Sequence, residues 1–372
     1  THEFARESRA EAVFVELRGA LASRPDGFLM QITTQSKSAP SGVFKKELER
    51  ARAVRDGRLK LPNLPVLYEL PPAMVKQWQD PKTWGMVNPN LGRSVDPDFL
   101  TDQLVQAKED GAQSLALLAS QHFNVEIGVG LGGDWQAARH WAGAATVLSF
   151  EDMLQRCEVI VAGIDGGGLD DLFGLGLLGR DRETKDWLAW FHAWAHPEVL
   201  EVRKEIAPRL MDFAEAGDLT ILDPDHPTQD IEEVAALIKA VADAGLLPER
   251  DAIGVDPYGI SAMLDELILN GITDDQIVAV RQGPALSPAI WGIERKLKNG
   301  TYRHGGQPMM DWCLGNAKTE TRGSAVMITK FTAGRAKIDP LIAGLNAYQL
   351  MSRNPVASNS ASIYETRGVL TL

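Results

Sequence analysis

Val159-Ile160-Val161-Ala162-Gly163-Ile164-Asp165-Gly166-Gly167-Gly168 is the stretch from which the fold is read. Residues 159–165 are an apolar run rich in β-branched side chains and too short for a helix, which predicts a buried strand ending on a carboxylate. The three glycines let the backbone turn sharply and leave room beside Asp165 for a metal, water or phosphate. A glycine-spaced apolar run at 172–178 is the expected hairpin partner, and 186–192 a third strand. Beyond them the pattern predicts helices near 197–216 and 230–244, a buried strand at 252–256, a helix at 260–270 and a strand at 276–281. Helices at 287–299 and 340–351 complete it. Three strands in succession, then helices alternating with single strands, predict an α/β domain built on a mixed sheet.

Upstream, Ala12, Val13, Leu17 and Leu21 mark a helix over 7–24, and 27–34 reads as a strand. A loop at 38–42 leads to a charged helix over 43–54, with Ser41 as its cap, and 65–70 reads as a short strand. This part looks like the tail of an α/β unit. From residue 71 the chain turns rich in Trp, Pro and Asn, as in Trp84-Gly85-Met86-Val87-Asn88-Pro89-Asn90, with one clear helix at 97–110. The expected domains are therefore 1–70, a connecting subdomain at 71–149, and 150–372.

The 372 residues are 44% hydrophobic and 24% charged, the composition of an ordinary globular protein. No apolar run approaches the ~18 residues of a membrane span and no signal peptide is present, so no membrane and a cytoplasmic setting are the expectation. Cys157 and Cys313 are too few for a disulfide framework or a zinc site. The net charge of −12 argues against nucleic acid, but its distribution does not. Residues 281–337 hold ten basic side chains and three acids, a net +7, which leaves −19 for the rest. That basic segment leads into Asp339 and reads either as a phosphate-backbone track or as a solvated surface.

Two further aspartates resemble Asp165 in placement. Asp256 follows Ala252-Ile253-Gly254-Val255, and Asp339 follows Lys337-Ile338 at the start of a helical pattern. Carboxylates where buried elements meet solvent suit a hard divalent cation, and three from distant segments suggest a two-metal site. Asp171 is an accessory candidate within Leu169-Asp170-Asp171. Read singly, each has a plain explanation. Asp165 sits in a glycine-rich hairpin, Asp256-Pro257-Tyr258-Gly259 is a good turn, and Asp339-Pro340 is an ordinary N-cap and N1 pair.

Other motifs fall away. Gly128-Val129-Gly130-Leu131-Gly132-Gly133 matches a dinucleotide fingerprint formally, but no strand–turn–helix frames it. No Gly-Lys pair occurs, so a Walker A loop is absent from the chain. His192 and His196 are spaced i, i+4, but Trp194 and Pro197 suggest a loop and not a zinc-binding helix face. His304, in the basic segment, is either a DNA or loop contact near the metals or a turn histidine.

Together these residues resemble the large terminase subunit of tailed bacteriophages and prophages. The resemblance is carried by Leu297-Lys298-Asn299-Gly300-Thr301-Tyr302-Arg303-His304-Gly305-Gly306-Gln307-Pro308 with Trp312 and Gly315-Asn316, and by Lys337-Ile338-Asp339. Asp165-Gly166-Gly167-Gly168 and Asp256-Pro257-Tyr258-Gly259 are similar to the family's first two catalytic motifs. Ile32-Thr33-Thr34-Gln35 resembles its ATPase coupling motif, and His2-Glu3-Phe4-Ala5 the residues after its Walker B acids. The Walker motifs themselves are missing, so the chain is expected to begin inside the motor domain.

The resemblance implies an RNase H-like nuclease domain after a linker subdomain and the C-terminal remnant of a P-loop ATPase. It implies a DNA endonuclease in which Asp165, Asp256 and Asp339 hold two Mg²⁺ or Mn²⁺ ions, with Asp171 accessory. Arg303, His304, Lys330, Arg335 and Lys337 would then grip the DNA, and Thr33 and Thr34 would couple ATP use in the full-length protein alone. The implied partners are double-stranded DNA, the phage portal protein, the small terminase subunit and further copies of the chain in a pentameric motor, in the bacterial host cytoplasm. Two other readings stay open: an RNase H-like junction resolvase or recombinase, and a non-catalytic docking module of the packaging machine.

Overall fold

The computed structural model describes residues 10–24, 26–37, 40, 42–127, 135, 137–168, 170–204, 206–256, 261–330 and 337–358. His2-Glu3-Phe4-Ala5, the Ser41 cap, the glycine run at 128–133, Pro257-Tyr258-Gly259 and Arg335 lie outside the described residues. The chain forms two compact units, one within Thr1–Asp134 plus Leu200–Phe213, the other within Trp135–Val199 and Ala214–Leu372.

In chain order the helices are α1 (Ala10–Ala20), α2 (Gly42–Arg55), α3 (Pro81–Val87), α4 (Pro97–Asp110), α5 (Ala112–Phe123), α6 (Ala138–Ala144) and α7 (Phe150–Arg156). They continue with α8 (Glu198–Val202), α9 (Ala207–Glu215), α10 (Gln229–Asp243), α11 (Ser261–Leu269), α12 (Ser287–Asn299), α13 (Pro308–Gly315) and α14 (Asp339–Met351).

The first unit is helical. Trp78, Trp84, Leu100, Leu104 and Phe123 close its core, and the Trp84 indole donates to the Trp78 carbonyl at 2.9 Å. α4 starts where expected because Asp96 caps it, accepting from the Asp98 amide at 3.0 Å, and Pro97 takes the first turn, where no N–H is needed. The expected strands at 27–34 and 65–70 form neither strand nor helix in the structure. Phe28 and Ile32 are about three-quarters exposed and Leu64 is 88% exposed. A strand needs a neighbour to satisfy its ladder, and none among the described residues pairs with either segment.

The second unit holds the sheet: β1 (Cys157–Gly166), β2 (Phe173–Asp181), β3 (Trp187–Ala195), β4 (Leu219–Ile221), β5 (Ile253–Val255), β6 (Ile277–Ala279) and β7 (Tyr302–His304). Its order is β4-β3-β2-β1-β5-β6, with β7 also pairing β3. β1, β2 and β3 run antiparallel in sequence, while β5 lies parallel to β1, and β6 to β5. This is a mixed α/β sheet. A separate hairpin, β8 (Ala317–Arg322) with β9 (Ala325–Lys330), escapes sequence reading because its residues are mostly polar.

The expected helix at 197–216 is split into α8 and α9. Pro208 tolerates only the first turn of a helix, and α9 begins one residue before it. His192 lies in β3, not in a loop, where its Nε2 is 2.9 Å from the Thr220 hydroxyl.

The helix α14 packs across β1, β2 and β5 at unusually close range, because the sheet presents glycine to it. A Cβ on Gly163 would overlap the Ala343 carbonyl, one on Gly174 would lie 2.8 Å from the Pro340 Cα, and one on Gly176 2.8 Å from the Gly344 nitrogen. The missing side chains set the depth at which α14, and therefore its first residue, meets the sheet.

Candidate active site

β1 is a strand at which the sheet changes sense, with an antiparallel neighbour on one side and a parallel one on the other. Its register with β5 pairs Gly163 with Gly254 and Ile164 with Val255, so Asp165 and Asp256 follow at adjacent strand ends. Neighbouring strands are ~4.8 Å apart, which brings the two backbones together. Side chains alternate along a strand. Gly163 and Gly254 both face α14, the latter toward the Asn346 carbonyl, so Asp165 and Asp256 project to that same side.

Asp339 is the first residue of α14. The residue before it holds the N-cap position and Asp339 makes no side-chain cap, contrary to the ordinary cap expected from Asp339-Pro340. Its carboxyl is instead buried against the end of β1, where a Cβ on Gly166 would lie 3.2 Å from the Asp339 Cβ. Gly166 has φ +90°, a conformation that a larger residue resists. Three residues from three segments thus meet at the carboxyl end of β1.

The electrostatics reflect this. Burial, followed by the charges of Asp339 and Asp256, lifts the Asp165 carboxyl to about 8. Burial and then the Asp171 charge raise Asp339 as well. Asp171 moves the other way: burial opposes ionisation, but hydrogen bonds with Asp339 and Lys337 and the charges of Lys330 and Lys337 hold it well below the usual range. The buried Asp339 Oδ2 has no hydrogen-bond partner among the described residues.

Lys330 lies 3.1 Å from Asp171 Oδ2 and 3.4 Å from Asp339 Oδ1. Lys337, 3% exposed, lies 2.8 Å from Asp171 Oδ1 and donates to the Asp170 carbonyl. Both were expected to grip DNA; in the structure both pair with the carboxylates, since an ammonium at 3 Å from a partly buried acid is held there. Asp165, Asp339 and Lys330 line a cleft of about 370 Å³ whose other walls include Gln282, Leu286 and Ile290.

The remaining expected contacts fall elsewhere. His304 is 1% exposed, with its ring stacked on Trp141 at a centroid distance of 3.7 Å. Its Nε2 lies 2.8 Å from the Trp141 carbonyl and its Nδ1 accepts from the Gly306 amide at 3.1 Å, so both ring nitrogens are used and no DNA contact is open to it. Arg303 pairs in register with Leu188, which faces Gly179, which faces Ile160. That is five residues down β1 from Asp165, ~16 Å along the strand, and three strands across. Thr33 and Thr34 lie in the other unit, where each hydroxyl donates to a neighbouring carbonyl.

Two residues of the site carried no sequence signal. Asn346, fully buried on α14, donates from Nδ2 to the Ile164 carbonyl at 3.0 Å and accepts from Gln282 Nε2 at 3.1 Å. They brace the backbone that presents Asp165. The repeated Gly-aliphatic-Asp of Gly163-Ile164-Asp165 and Gly254-Val255-Asp256 was the available signal for pairing the two aspartates.

The donor set suits a hard divalent ion: carboxylate oxygens, one of them orphaned, in mutual repulsion. Among the described residues no group of three or more His, Cys, Asp or Glu side chains is placed to hold a metal ion. No helix among them is long and apolar enough to cross a membrane.

The family model for the terminase large subunit, endonuclease domain, matches residues 66–353. Protein YmfN of Escherichia coli (strain K12) is 21% identical over 339 residues, covering 85% of this chain and 68% of its own length. The HK97 bacteriophage large terminase is 19% identical, with a TM-score of 0.41 over 90% of this chain and 66% of that one. The large terminase nuclease from thermophilic phage G20c, solved with bound magnesium, is 13% identical, with a TM-score of 0.33 over 51% of this chain and 80% of that one. The chain thus spans about two thirds of the length of the first two.

Proposed function

Since the chain belongs to the family of terminase large-subunit endonuclease domains, we propose that it is a divalent-metal-dependent endonuclease that cuts concatemeric duplex DNA during phage packaging. The observation that carries this is the convergence of Asp165 and Asp256, from adjacent parallel strand ends, with Asp339 at the start of α14. These three would hold two Mg²⁺ or Mn²⁺ ions, with Asp171 beside them. When bound, the ions supply a water activated for in-line attack on phosphorus and stabilise the leaving 3′ oxygen. Lys330 and Lys337 would keep Asp171 oriented and partly neutralised. With all groups ionised, four carboxylates and two ammoniums leave two negative charges, which one divalent ion balances. The phosphate brings the charge that admits a second.

The domain reading accompanies this: 1–70 as the C-terminal part of an ATPase domain, with Thr33 and Thr34 as its coupling motif, 71–149 as a linker and 150–372 as the nuclease. Support comes from the exposed apolar residues of the segments 27–34 and 65–70, which fit strands whose neighbours belong to a larger sheet. ATP hydrolysis, the portal protein, the small subunit, a pentameric motor and the bacterial cytoplasm belong to the full-length packaging protein on this reading.

The test is nicking of supercoiled plasmid in Mn²⁺, with Asp165→Ala, Asp256→Ala and Asp339→Ala read beside melting temperature with and without metal. Loss of nicking and of the metal-induced stabilisation in all three variants is expected. Undiminished nicking in all three overturns the assignment. Absence of any metal effect on wild-type melting favours a docking module, and a strong preference for branched over linear duplex favours a resolvase.

A further inference from the structure

The basic segment 281–337 is less available than its composition suggests. Lys330 and Lys337 are bound to the carboxylates, Lys318 pairs with Glu320, and Lys296 sits 4.0 Å above the Trp187 ring. Among the described residues of the segment, Arg281, Arg295, Lys298 and Arg322 are exposed cations without an ion pair. Arg295 and Lys298 are not scattered. They share α12 with Trp291 at i, i+4 and i+7, the spacing of one helix face.

The opposite face of α12, with Ala289, Ile290, Ile293 and Leu297, is buried. The outward face leaves Trp291 46% exposed, and its one acid, Glu294, three residues after Trp291 and four before Lys298, is half-buried. A large exposed indole one and two turns ahead of two cations has no folding rationale on a helix whose apolar face is already covered. The helix is also anchored at the site. Ile290, beside Trp291, lines the cleft that holds Asp165 and Asp339. Ser287 fixes the first turn to the β8–β9 hairpin, its hydroxyl donating to the Val326 carbonyl at 2.7 Å and accepting from the Val326 amide at 2.9 Å. From Trp291 to Lys298 the face runs ~10 Å, which matches the rise of about three nucleotides of one strand of B-DNA.

We propose that the outward face of α12, carrying Trp291, Arg295 and Lys298, is the track on which the duplex DNA backbone runs as it leaves the catalytic cleft. Arg295 and Lys298 contact phosphates of one strand, and Trp291 packs against the sugar nearest the cut. The inference rests on the endonuclease reading for its substrate, but its test does not depend on cleavage. Contacts of this kind position the duplex without reading its sequence.

The experiment is fluorescence anisotropy with a 30-base-pair duplex in Ca²⁺ over a series of salt concentrations. Wild type is compared with Arg295→Ala/Lys298→Ala, with Trp291→Ala, and with a control of equal charge loss, Lys239→Ala/Arg250→Ala. Each phosphate contact contributes about 0.9 to the slope of log affinity against log salt. The double variant should therefore lose about 1.8 of that slope, the control none, and Trp291→Ala should weaken binding with the slope intact. All variants should keep the wild-type shift in melting temperature with Mn²⁺, which shows the site and fold intact. A wild-type slope in the double variant, or equal losses in the control, overturns the track, whether or not the protein cuts. Tighter binding of a 30-nucleotide single strand, with Trp291→Ala the most damaging change, also overturns it and assigns the face to unpaired DNA. Failure of wild type to nick plasmid while the predicted slopes hold would remove the endonuclease reading and leave the track.

Discussion

Asn346 Nδ2 donates to the carbonyl oxygen of Ile164 at 3.0 Å, one residue before Asp165. The bond ties the helix that carries Asp339 to the strand that carries Asp165. Asn346 is fully buried and its Oδ1 holds Gln282 from the cleft wall. Replacing it by Ala leaves a carbonyl and an amide short of partners, at ~1–3 kcal/mol. The expected result for Asn346→Ala is a lower melting temperature and a fall in the rate at saturating DNA, with duplex affinity in Ca²⁺ unchanged. A variant with wild-type turnover would show that this brace has no part in presenting Asp165.

Gly163→Ala tests the depth of α14. A Cβ there overlaps the Ala343 carbonyl and comes within 2.5 Å of the Ala347 nitrogen, and both are helix backbone that cannot swing aside. Overpacking typically costs ~1–3 kcal/mol, and this position should lie at or above the top of that range. The same change at Gly168, where a Cβ meets nothing within 4 Å, should be close to neutral. Equal melting temperatures for the two variants would refute the close-packed seam.

The third prediction concerns pH in the metal-free protein. Asp165 has an ordinary value near 3.8 when unfolded and about 8 when folded. Between these the folded state holds the extra proton, so stability falls as pH rises, by at most ~1.4 kcal/mol per pH unit for one proton, and the full penalty is present above pH 8. Burial holds His192 and His304 at about 4, which favours the folded state as pH rises toward their unfolded value of ~6.5. The window from pH 6.5 to 8 is therefore the one to read. Chelated wild type should melt lower at pH 8 than at 6.5, Asp165→Asn should flatten that trend and melt higher at pH 8, and saturating Mn²⁺ should reverse it in wild type alone. A wild-type melting temperature that rises across the window contradicts the sign.

Lys337→Met separates counter-charge from DNA contact. Lys337 is almost fully buried, but Asp171 is 36% exposed, so water compensates part of the loss and the cost should be nearer ~1–2 kcal/mol than that of a fully buried pair. Mn²⁺ should then raise the melting temperature more in the variant than in wild type, since the ion meets an uncompensated carboxylate. A variant whose sole defect is a shallower salt dependence of DNA binding would return Lys337 to the DNA-gripping role.

Much of the second unit was legible. The apolar run 159–165, the helix 287–299 and the strand before Asp256 appear nearly as expected, because each is long or strongly patterned enough for local preference to agree with burial. The three-residue strands β4 and β7 and the polar hairpin β8–β9 were not, since their pairing depends on neighbours distant in sequence. The strands read at 27–34 and 65–70 had the composition of strands and no partner among the described residues.

The site divides the same way. By itself the sequence determined which carboxylates end buried elements, that Asp165 and Asp256 each follow Gly-aliphatic, and that the basic residues gather in 281–337. Only the tertiary structure decided that Asp339 is no helix cap but faces Asp165, that Lys330 and Lys337 serve the carboxylates, that His304 is buried, and that Arg295, Lys298 and Trp291 remain outward. The reason is physical. The type of a residue is local, but whether its charge is buried, paired or open to a ligand depends on groups more than a hundred residues away that packing brings within a few ångströms.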